Sequence, residues 1–139
     1  MMNQEVRKIM TVDPVSATPD QSLEEVANIF LETHWQQIPV VEDNKLVGMI
    51  TAFDLWKAQR RGDNLSKVRD IMTTHVVKIT PVDKVGTAAE LFADRRFKTL
   101  PVVNLNNELK GVVTAFDVIR VAFKEEYPEP ILYKKEFGE

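Results

Sequence analysis

The sequence predicts a mixed α/β (α+β) fold: two βαββα units, related by a pseudo-twofold axis, pack sheet to sheet as one domain over residues 1–139. The main observation is a duplicated motif, because Gly-Met-Ile-Thr-Ala-Phe-Asp at 48–54 returns 63 residues later as Gly-Val-Val-Thr-Ala-Phe-Asp at 111–117. A longer series of matches at an offset of 62 precedes it. Neither unit alone has enough apolar surface for both sides of its sheet, so the pair is expected to bury a shared core.

The matched segments define a first repeat at 6–58 and a second at 68–122. Val-Arg-Lys-Ile-Met-Thr opens the first repeat, and Val-Arg-Asp-Ile-Met-Thr opens the second. One residue inserted near Asn107 raises the offset to 63. Arg-Gly-Asp-Asn at 61–64 predicts a short turn between the repeats rather than a long linker.

Each repeat begins with a turn and a short strand, followed by a helix. The strands are predicted at 15–18 and 77–80, where the following Pro favours an extended backbone. Ser22 and Glu25 form a predicted capping box at the first helix. Apolar residues recur at helical spacing in both copies: Leu23, Val26, Ala27 and Phe30, then Val85, Ala88, Ala89 and Phe92.

Two further strands and a second helix complete each repeat. Short buried strands are predicted at 38–41 and 100–103, each followed by a turn rich in Asn and Asp. The remaining predictions are strands at 45–50 and 109–113 and helices at 52–59 and 115–124.

The last segment, 125–139, matches neither repeat. Pro128 and Pro130 are expected to stop the preceding helix. The apolar residues Ile131, Leu132 and Tyr133 leave two interpretations open: a frayed tail, or docking on this domain or a second subunit.

Composition narrows the function classes. The net charge of -3 provides no general basic field, so nucleic-acid binding is not expected. The chain has no Cys, and its two histidines, His34 and His75, are too few for a metal site and are read as surface or packing residues. No apolar run is long enough to cross a membrane, and the first residues lack the apolar core of a signal peptide. A soluble cytoplasmic protein is therefore expected.

The duplicated Thr-x-x-Asp motif has two interpretations. Thr51 with Asp54, and Thr114 with Asp117, fit a capping box in which each side chain accepts a hydrogen bond from the other residue's backbone N–H. A hydroxyl, a carboxylate and unpaired N–H groups at a helix start also suit a sugar and a phosphate. The duplication and the preceding Gly favour ligand binding, and the two roles are compatible.

The order of these motifs resembles a tandem pair of cystathionine-β-synthase (CBS) domains over residues 6–122. The resemblance is carried by the Ile-Met-Thr opening, the apolar-Pro-Val-Val strand and the Gly-x-x-Thr-x-x-Asp motif. It implies two clefts for AMP, ADP, ATP or S-adenosylmethionine, with the Asp on the ribose hydroxyls and the Thr near the phosphate. Similar pairs commonly form flat homodimers, and a homodimer is expected here.

The same resemblance assigns further residues to each cleft. Trp35, Gln36 and Gln37 are expected beside the Asp117 cleft, and Phe97, Lys98 and Thr99 beside the Asp54 cleft. The first strands, around Thr11 to Val15 and Thr73 to Val77, are expected to supply backbone groups and apolar walls for adenine. Arg95, Arg96 and Lys98 form either a phosphate-binding cluster or a solvated helix end.

These expectations combine into one leading function and one alternative. The leading hypothesis is a regulatory adenosine-nucleotide sensor that acts on a separate, unknown partner protein. The alternative is a dimerising scaffold whose Thr-x-x-Asp boxes only cap helices. An enzyme is not expected, because no nucleophile–base pair, metal cluster or phosphate-binding Gly-rich loop is apparent in the sequence.

Overall fold

The computed structural model describes residues 2–95 and 97–127; Arg96 and the apolar trio at 131–133 lie outside this range. A 3-10 turn at Val6–Lys8 opens the described chain. The helices are α1 (Leu23–Glu32), α2 (Ala52–Arg60), α3 (Val68–Ile71), α4 (Val85–Arg95) and α5 (Ala115–Glu126). The strands are β1 (Thr11–Val12), β2 (Gln37–Glu42), β3 (Lys45–Thr51), β4 (Thr99–Val103) and β5 (Leu109–Thr114).

Two antiparallel hairpins form the centres of the two sheets. Strands β2 and β3 make one sheet, and β1 joins the other hairpin in the order β1-β5-β4. The hairpins share their register, since Gln37 pairs with Thr51 in one and Thr99 pairs with Thr114 in the other. Each also carries an irregularity at the same place, after Val40 and after Val102. The predicted mixed architecture with two equivalent halves is confirmed.

The opening segment of each repeat packs on the other repeat. Four backbone N–H groups donate across the pair in two equivalent sets: Val6 to Asp83 (2.7 Å), Arg7 to Pro81 (2.9 Å), Val68 to Gln21 (3.1 Å) and Arg69 to Pro19 (2.9 Å). Further on, β1 pairs with β5, and Thr73 forms an equivalent bridge with Met49 of β3. Each sheet is therefore extended by a segment from the opposite repeat.

The buried residues form two clusters, not the single shared core expected from the sequence. One cluster joins Val6 to the second repeat's residues, including Val85, Leu100 and Val113. The other joins Val68 to the first repeat's residues Val26, Ile38, Val40 and Ile50, among others. The crossed opening segments explain this arrangement, because each core is completed by a side chain from the other repeat.

The predicted first strands at 15–18 and 77–80 are each reduced to one bridge residue. Ala17 bridges Val40 and Ile79 bridges Val102, both in parallel. The prolines at 19 and 81 lack the N–H that a further ladder bond would need, which limits the pairing to one residue. The other predicted strands and long helices are present, with ends shifted by one or two residues.

The hairpin tips differ by the inserted residue. Between β2 and β3, Asp43 and Asn44 both have positive φ (52° and 65°), which suits a tight two-residue turn. The longer β4–β5 loop contains Asn107 at φ 64°. Asn and Asp adopt this left-handed conformation more readily than other non-glycine residues.

Asn107 also joins the two tips. Its carbonyl accepts the Leu46 N–H at 3.0 Å, and its side-chain Nδ2 donates to the Leu46 carbonyl at 2.8 Å. Lys78 Nζ donates to Asn107 Oδ1 at 2.7 Å. The equivalent residue of the first repeat, Asn44, accepts the Leu109 N–H at 3.1 Å, so matching backbone bonds connect the two sheets at their tips.

Candidate functional site

The Thr51–Asp54 motif lies where β3 ends and α2 begins. The Asp54 N–H donates to Thr51 Oγ1 at 3.0 Å, and the Thr51 N–H donates to Asp54 Oδ2 at 2.9 Å. This complete capping box satisfies two backbone donors that the helix start leaves unpaired. Asp54 is half-buried, and within the described chain no basic side chain forms an ion pair with it.

The Thr114–Asp117 motif forms the same box at the start of α5. The Asp117 N–H donates to Thr114 Oγ1 at 3.2 Å, and the Thr114 N–H donates to Asp117 Oδ2 at 2.8 Å. Asp117 is only 6% exposed, and Arg120 Nη1 donates to its second oxygen, Oδ1, at 3.3 Å. The capping interpretation is thus satisfied in both repeats, and each carboxylate keeps lone pairs beyond those used by the cap.

The glycine that precedes each motif lets the opposite repeat approach closely. A methyl group added at Gly48 would lie 2.8 Å from the Met72 sulfur and 2.8 Å from the Thr73 carbonyl oxygen. One added at Gly111 would lie 2.6 Å from the Thr11 carbonyl oxygen. Because Gly has no Cβ, these positions allow the opening segment to lie against the end of the hairpin.

A cleft lies beside Thr51, between the two sheets, with an enclosed volume of about 90 Å³. Its apolar walls are Met49, Val76, Val77, Phe97 and Pro101. Its polar groups are Gln37, Thr51, Thr73, His75 and Thr99. This volume is below the ~300–1,000 Å³ of typical ligand pockets, so a nucleotide would extend into the open part of the groove or widen it.

Three residues expected at this cleft line it: Thr51, Phe97 and Thr99. Val77, which was expected to form an adenine wall in one of the clefts, lines it as well. Asp54 is held against Thr51 in the first turn of α2. Lys98 lies between two lining residues but is exposed, and its carbonyl accepts the Ala115 N–H at 3.4 Å. Of the basic cluster, Arg95 is the exposed last residue of α4, and Arg96 lies outside the described residues.

Gln37 lines the Thr51 cleft, whereas the family resemblance assigns it to the cleft beside Asp117. The strand pairing explains its position, because Gln37 lies directly opposite Thr51. Its equivalent, Thr99, pairs with Thr114 and lines the Thr51 cleft as well. Both residues therefore lie between the sheets.

The first repeat also contains Trp35 and Gln36, which were assigned to the Asp117 cleft, and Val15, which was expected to form an adenine wall. Val15 and Trp35 are half-buried and pack against that repeat's core. Gln36 is exposed, and its carbonyl accepts the Ala52 N–H at 2.9 Å, the position that Lys98 occupies in the second repeat. The two repeats thus offer equivalent positions with different side chains.

Sequence reasoning did not identify the side chains of Met49, His75 and Pro101 as lining residues. His75 in particular was read as a surface or packing residue, yet it lines the cleft. Strand alternation could have indicated the other two, because Met49 shares a strand face with Thr51 and Pro101 shares one with Thr99. His75 follows an isolated bridge, where no such periodicity exists.

Two kinds of feature are absent from the described residues. No group of three or more His, Cys, Asp or Glu side chains there could hold a metal ion. None of the helices within 2–95 and 97–127 combines the length and apolar character of a membrane span.

Comparison with known proteins gives a family match in both repeats. The model of the CBS domain matches residues 6–58 and 68–124. The CBS domain-containing protein YhcV of Bacillus subtilis is 33% identical over 116 residues, which are 81% of this chain and 81% of that protein. In seven other curated relatives, the chain spans between 23% and 48% of the protein's length.

Several similar solved structures contain adenosine compounds. The CBS domain pair of protein MJ0100, in complex with 5′-methylthioadenosine and S-adenosyl-L-methionine, has a TM-score of 0.78 and 27% identity. CBSX2 in complex with AMP has a TM-score of 0.80 and 26% identity. Each comparison covers 88% of this chain and 98% of the other.

Proposed function

The chain belongs to the CBS domain family, and on that basis we propose that it is a regulatory module that binds an adenosine-containing ligand and acts on a separate protein. The observation that carries the proposal is the cleft beside Thr51, where apolar walls and a few polar groups meet at a helix start. Such a cleft suits a flat base and a hydroxyl-bearing sugar. The bound AMP and S-adenosylmethionine in similar structures support this ligand class.

The proposed site residues keep the roles that the resemblance implies. Asp54 in one cleft and Asp117 in the other accept hydrogen bonds from the ribose hydroxyls. Thr51 and Thr114 lie near the phosphate. The capping boxes favour this assignment, because they fix each carboxylate in one orientation before a ligand arrives. The base is bounded by Val77 and Phe97 in the first cleft, with Lys98 and Thr99 nearby. For the second cleft, the proposed residues are Val15, Trp35 and Gln36, whereas Gln37 is proposed for the first cleft, which it lines.

Titration calorimetry with AMP, ATP and S-adenosylmethionine tests the proposal. Asp54→Asn and Asp117→Asn keep the side-chain shape but remove the charge-assisted contact to ribose. Each should weaken binding in its own cleft by roughly ten- to a hundredfold, corresponding to roughly 1.5–3 kcal/mol.

The matched control is Asp43→Asn at the far tip of the β2–β3 hairpin. It lies roughly 20 Å along the strand from Thr51, and Asn suits its positive φ (52°), so binding should not change. If the wild-type protein binds none of the three compounds, the sensor proposal is wrong. Equal binding by wild type and both Asn variants would locate the site elsewhere.

The second candidate function is a scaffold without ligand. It is favoured by the fact that both Thr-x-x-Asp motifs form complete capping boxes, a structural role that needs no ligand. Native mass spectrometry of freshly purified protein separates the two functions. A co-purified nucleotide supports the sensor, whereas a ligand-free spectrum together with no binding in calorimetry supports the scaffold.

A homodimer is proposed as the functional assembly. Its support is the exposed apolar surface of α2 and α5, where Phe53 is 60%, Trp56 55%, Phe116 75% and Ile119 59% exposed. Such surfaces are typical of contacts with another protein. Light scattering at micromolar concentration should give twice the 15.9 kDa of one chain; a monomer mass would contradict the dimer.

A further inference from the structure

The opening segments of the two repeats dock on the opposite repeat through equivalent backbone bonds but different side chains. In the second opening segment, at 68–73, the Arg69 N–H donates to the Pro19 carbonyl at 2.9 Å. The guanidinium extends this contact, since its Nε lies 2.9 Å and its Nη2 2.8 Å from the same Asp20 oxygen. Nη2 also lies 3.7 Å from a Glu42 oxygen. One arginine therefore joins its segment to two acids of the first repeat.

The equivalent arginine of the first opening segment, Arg7, pairs locally. Its Nε lies 2.6 Å from Oε1 of Glu5, two residues before it. In the second repeat, the positions equivalent to the two acids are Val82 and Asn104, which carry no charge. The repeat therefore preserves the arginine but not its acidic partners.

Backbone groups attach the first opening segment instead. The N–H groups of Val85 and Gly86, in the first turn of α4, donate to the carbonyls of Gln4 (2.8 Å) and Met2 (3.0 Å). The residue before this helix is Lys84, whose ammonium has no acceptor with which to cap it. Salt screens exposed charges, whereas hydrogen bonds between backbone groups join partners without net charge. The two attachments should therefore respond differently to ionic strength.

The second opening segment also positions one wall of the Thr51 cleft. Thr73 and Met49 exchange two backbone hydrogen bonds, each 2.9 Å long. Both residues line the cleft, and so do residues 75–77. A shift of the second opening segment would therefore move part of the cleft wall.

We propose that Arg69, Asp20 and Glu42 form an electrostatic latch, which holds the second opening segment and with it one wall of the Thr51 cleft. The three side chains are 46%, 66% and 49% exposed, so dissolved ions can reach and screen them. Loosening the latch lowers the affinity of the cleft for its ligand. The latch itself does not depend on the proposed function, but its effect on affinity rests on it.

Amide hydrogen exchange, measured by NMR in about 0.01 M and about 1 M sodium chloride, tests the latch, because the screening length falls from about 30 Å to about 3 Å. At high salt, the amides of Val68, Arg69 and Thr73 should lose protection by up to about fivefold. The amides of Val6 and Arg7 report the first opening segment and should change less. An equal loss in both segments, or no loss in either, would overturn the latch.

Alanine variants that remove the same charge distinguish the latch from general electrostatics. At about 0.01 M salt, Arg69→Ala should reproduce the high-salt loss of protection, and added salt should then have little further effect. Arg7→Ala is the matched control and should leave the protection of Val68 and Thr73 unchanged. Arg69→Lys keeps the charge without the planar fork, so its protection should fall between wild type and Arg69→Ala. Wild-type protection in Arg69→Ala would overturn the role of Arg69.

Calorimetry with AMP, ATP and S-adenosylmethionine at the same low salt concentration tests the link to the cleft. Arg69→Ala should weaken each compound that binds the wild type by up to about fivefold, whereas Arg7→Ala should leave its affinity unchanged. Equal affinities in all three proteins would show that the latch does not act on the cleft. If the wild type binds none of the compounds while hydrogen exchange shows the latch, the proposed function is wrong and the latch remains.

Discussion

The Asp54 and Asp117 sites have the same backbone geometry but different side-chain surroundings. Both acids close a capping box with the preceding Thr, yet Asp117 is 6% exposed and paired with Arg120, whereas Asp54 is half-buried. The residue equivalent to Arg120 is Lys57, whose ammonium lies 5.1 Å from the centre of the Phe53 ring instead. The comparison shows that duplicated caps preserve backbone geometry while neighbouring side chains determine how accessible each carboxylate is.

The largest expected loss of stability follows substitution of Gly48 or Gly111, the glycine that precedes each Thr-x-x-Asp motif. Gly111→Ala would bring a methyl group within 2.6 Å of the Thr11 carbonyl oxygen, so the paired strands would have to separate. Gly48→Ala meets the Thr73 carbonyl oxygen and the Met72 sulfur at 2.8 Å each. We expect each to lower the free energy of unfolding by about 1–3 kcal/mol, with the larger loss at Gly111, in urea denaturation.

Gly86→Ala is the control for the glycine substitutions. Its added methyl group would lie 3.3 Å from the Met2 carbonyl oxygen, a milder contact. Alanine is also favoured over glycine inside a helix by up to about 1 kcal/mol, so the net change should be small. Equal loss in all three variants would show that the close approach between repeats is not the cause.

The next effect concerns Asn107, whose side chain makes two hydrogen bonds that its first-repeat equivalent, Asn44, is not seen to make. Asn107→Ala removes both side-chain bonds and places alanine at φ 64°, so we expect a loss of about 1–3 kcal/mol. Asn107→Gly removes the same hydrogen bonds without the conformational cost of a positive φ, so its loss of stability should be smaller. If the two variants have the same thermal and urea stability, the positive φ contributes nothing measurable.

A smaller loss of stability is expected when Asp54 or Asp117 is replaced, and the loss should differ between the two. Asp54→Ala and Asp117→Ala each remove one arm of a capping box, which costs about 0.5–2 kcal/mol. The loss for Asp117→Ala should be nearer the upper end of this range, because the substitution also leaves a buried gap and removes the partner of Arg120. Urea titrations of both variants measure the difference, and an equal loss would mean that burial of Asp117 does not matter.

The smallest effect concerns Arg120 itself. The Arg120–Asp117 pair has an exposed guanidinium, so it is worth only about 0.2–1 kcal/mol. Arg120→Ala in Asp54→Asn protein should free the second oxygen and tighten adenosine binding up to about fivefold in calorimetry. The control, Lys57→Ala in Asp117→Asn protein, should not change adenosine binding; weaker binding after Arg120→Ala would show that Arg120 assists the ligand.

Much of the fold followed from local sequence signals. Stripes such as Leu23, Val26 and Phe30 predicted α1, and the Gly-x-x-Thr-x-x-Asp motif predicted where α2 and α5 begin. The crossed opening segments could not be predicted this way, because the contacts of Val6 with Asp83 and of Val68 with Gln21 depend on long-range packing. A repeat match records that two segments are alike, not which partner each one contacts.

The site was predictable to a similar degree. Thr51, Val77, Phe97 and Thr99 were found through the motif and the family resemblance, and they do lie at one cleft. His75 was missed because a single histidine in an irregular segment has no periodic neighbours. The pairing of Asp117 with Arg120 was missed as well, because spacing alone does not distinguish Arg120 from Lys57, which has the same offset from its acid.

The crossed opening segments have a consequence for synthesis of the chain on the ribosome. When residues 6–58 have emerged, the first core still lacks Val68, which is supplied by the next segment. Val6, made first, must wait for partners as late as Val113 and Val118 before its own surroundings are complete. Such sequence-distant contacts slow folding and leave apolar surface uncovered in the meantime. The nascent first repeat therefore leaves part of its core uncovered until Val68 and the second repeat have been translated.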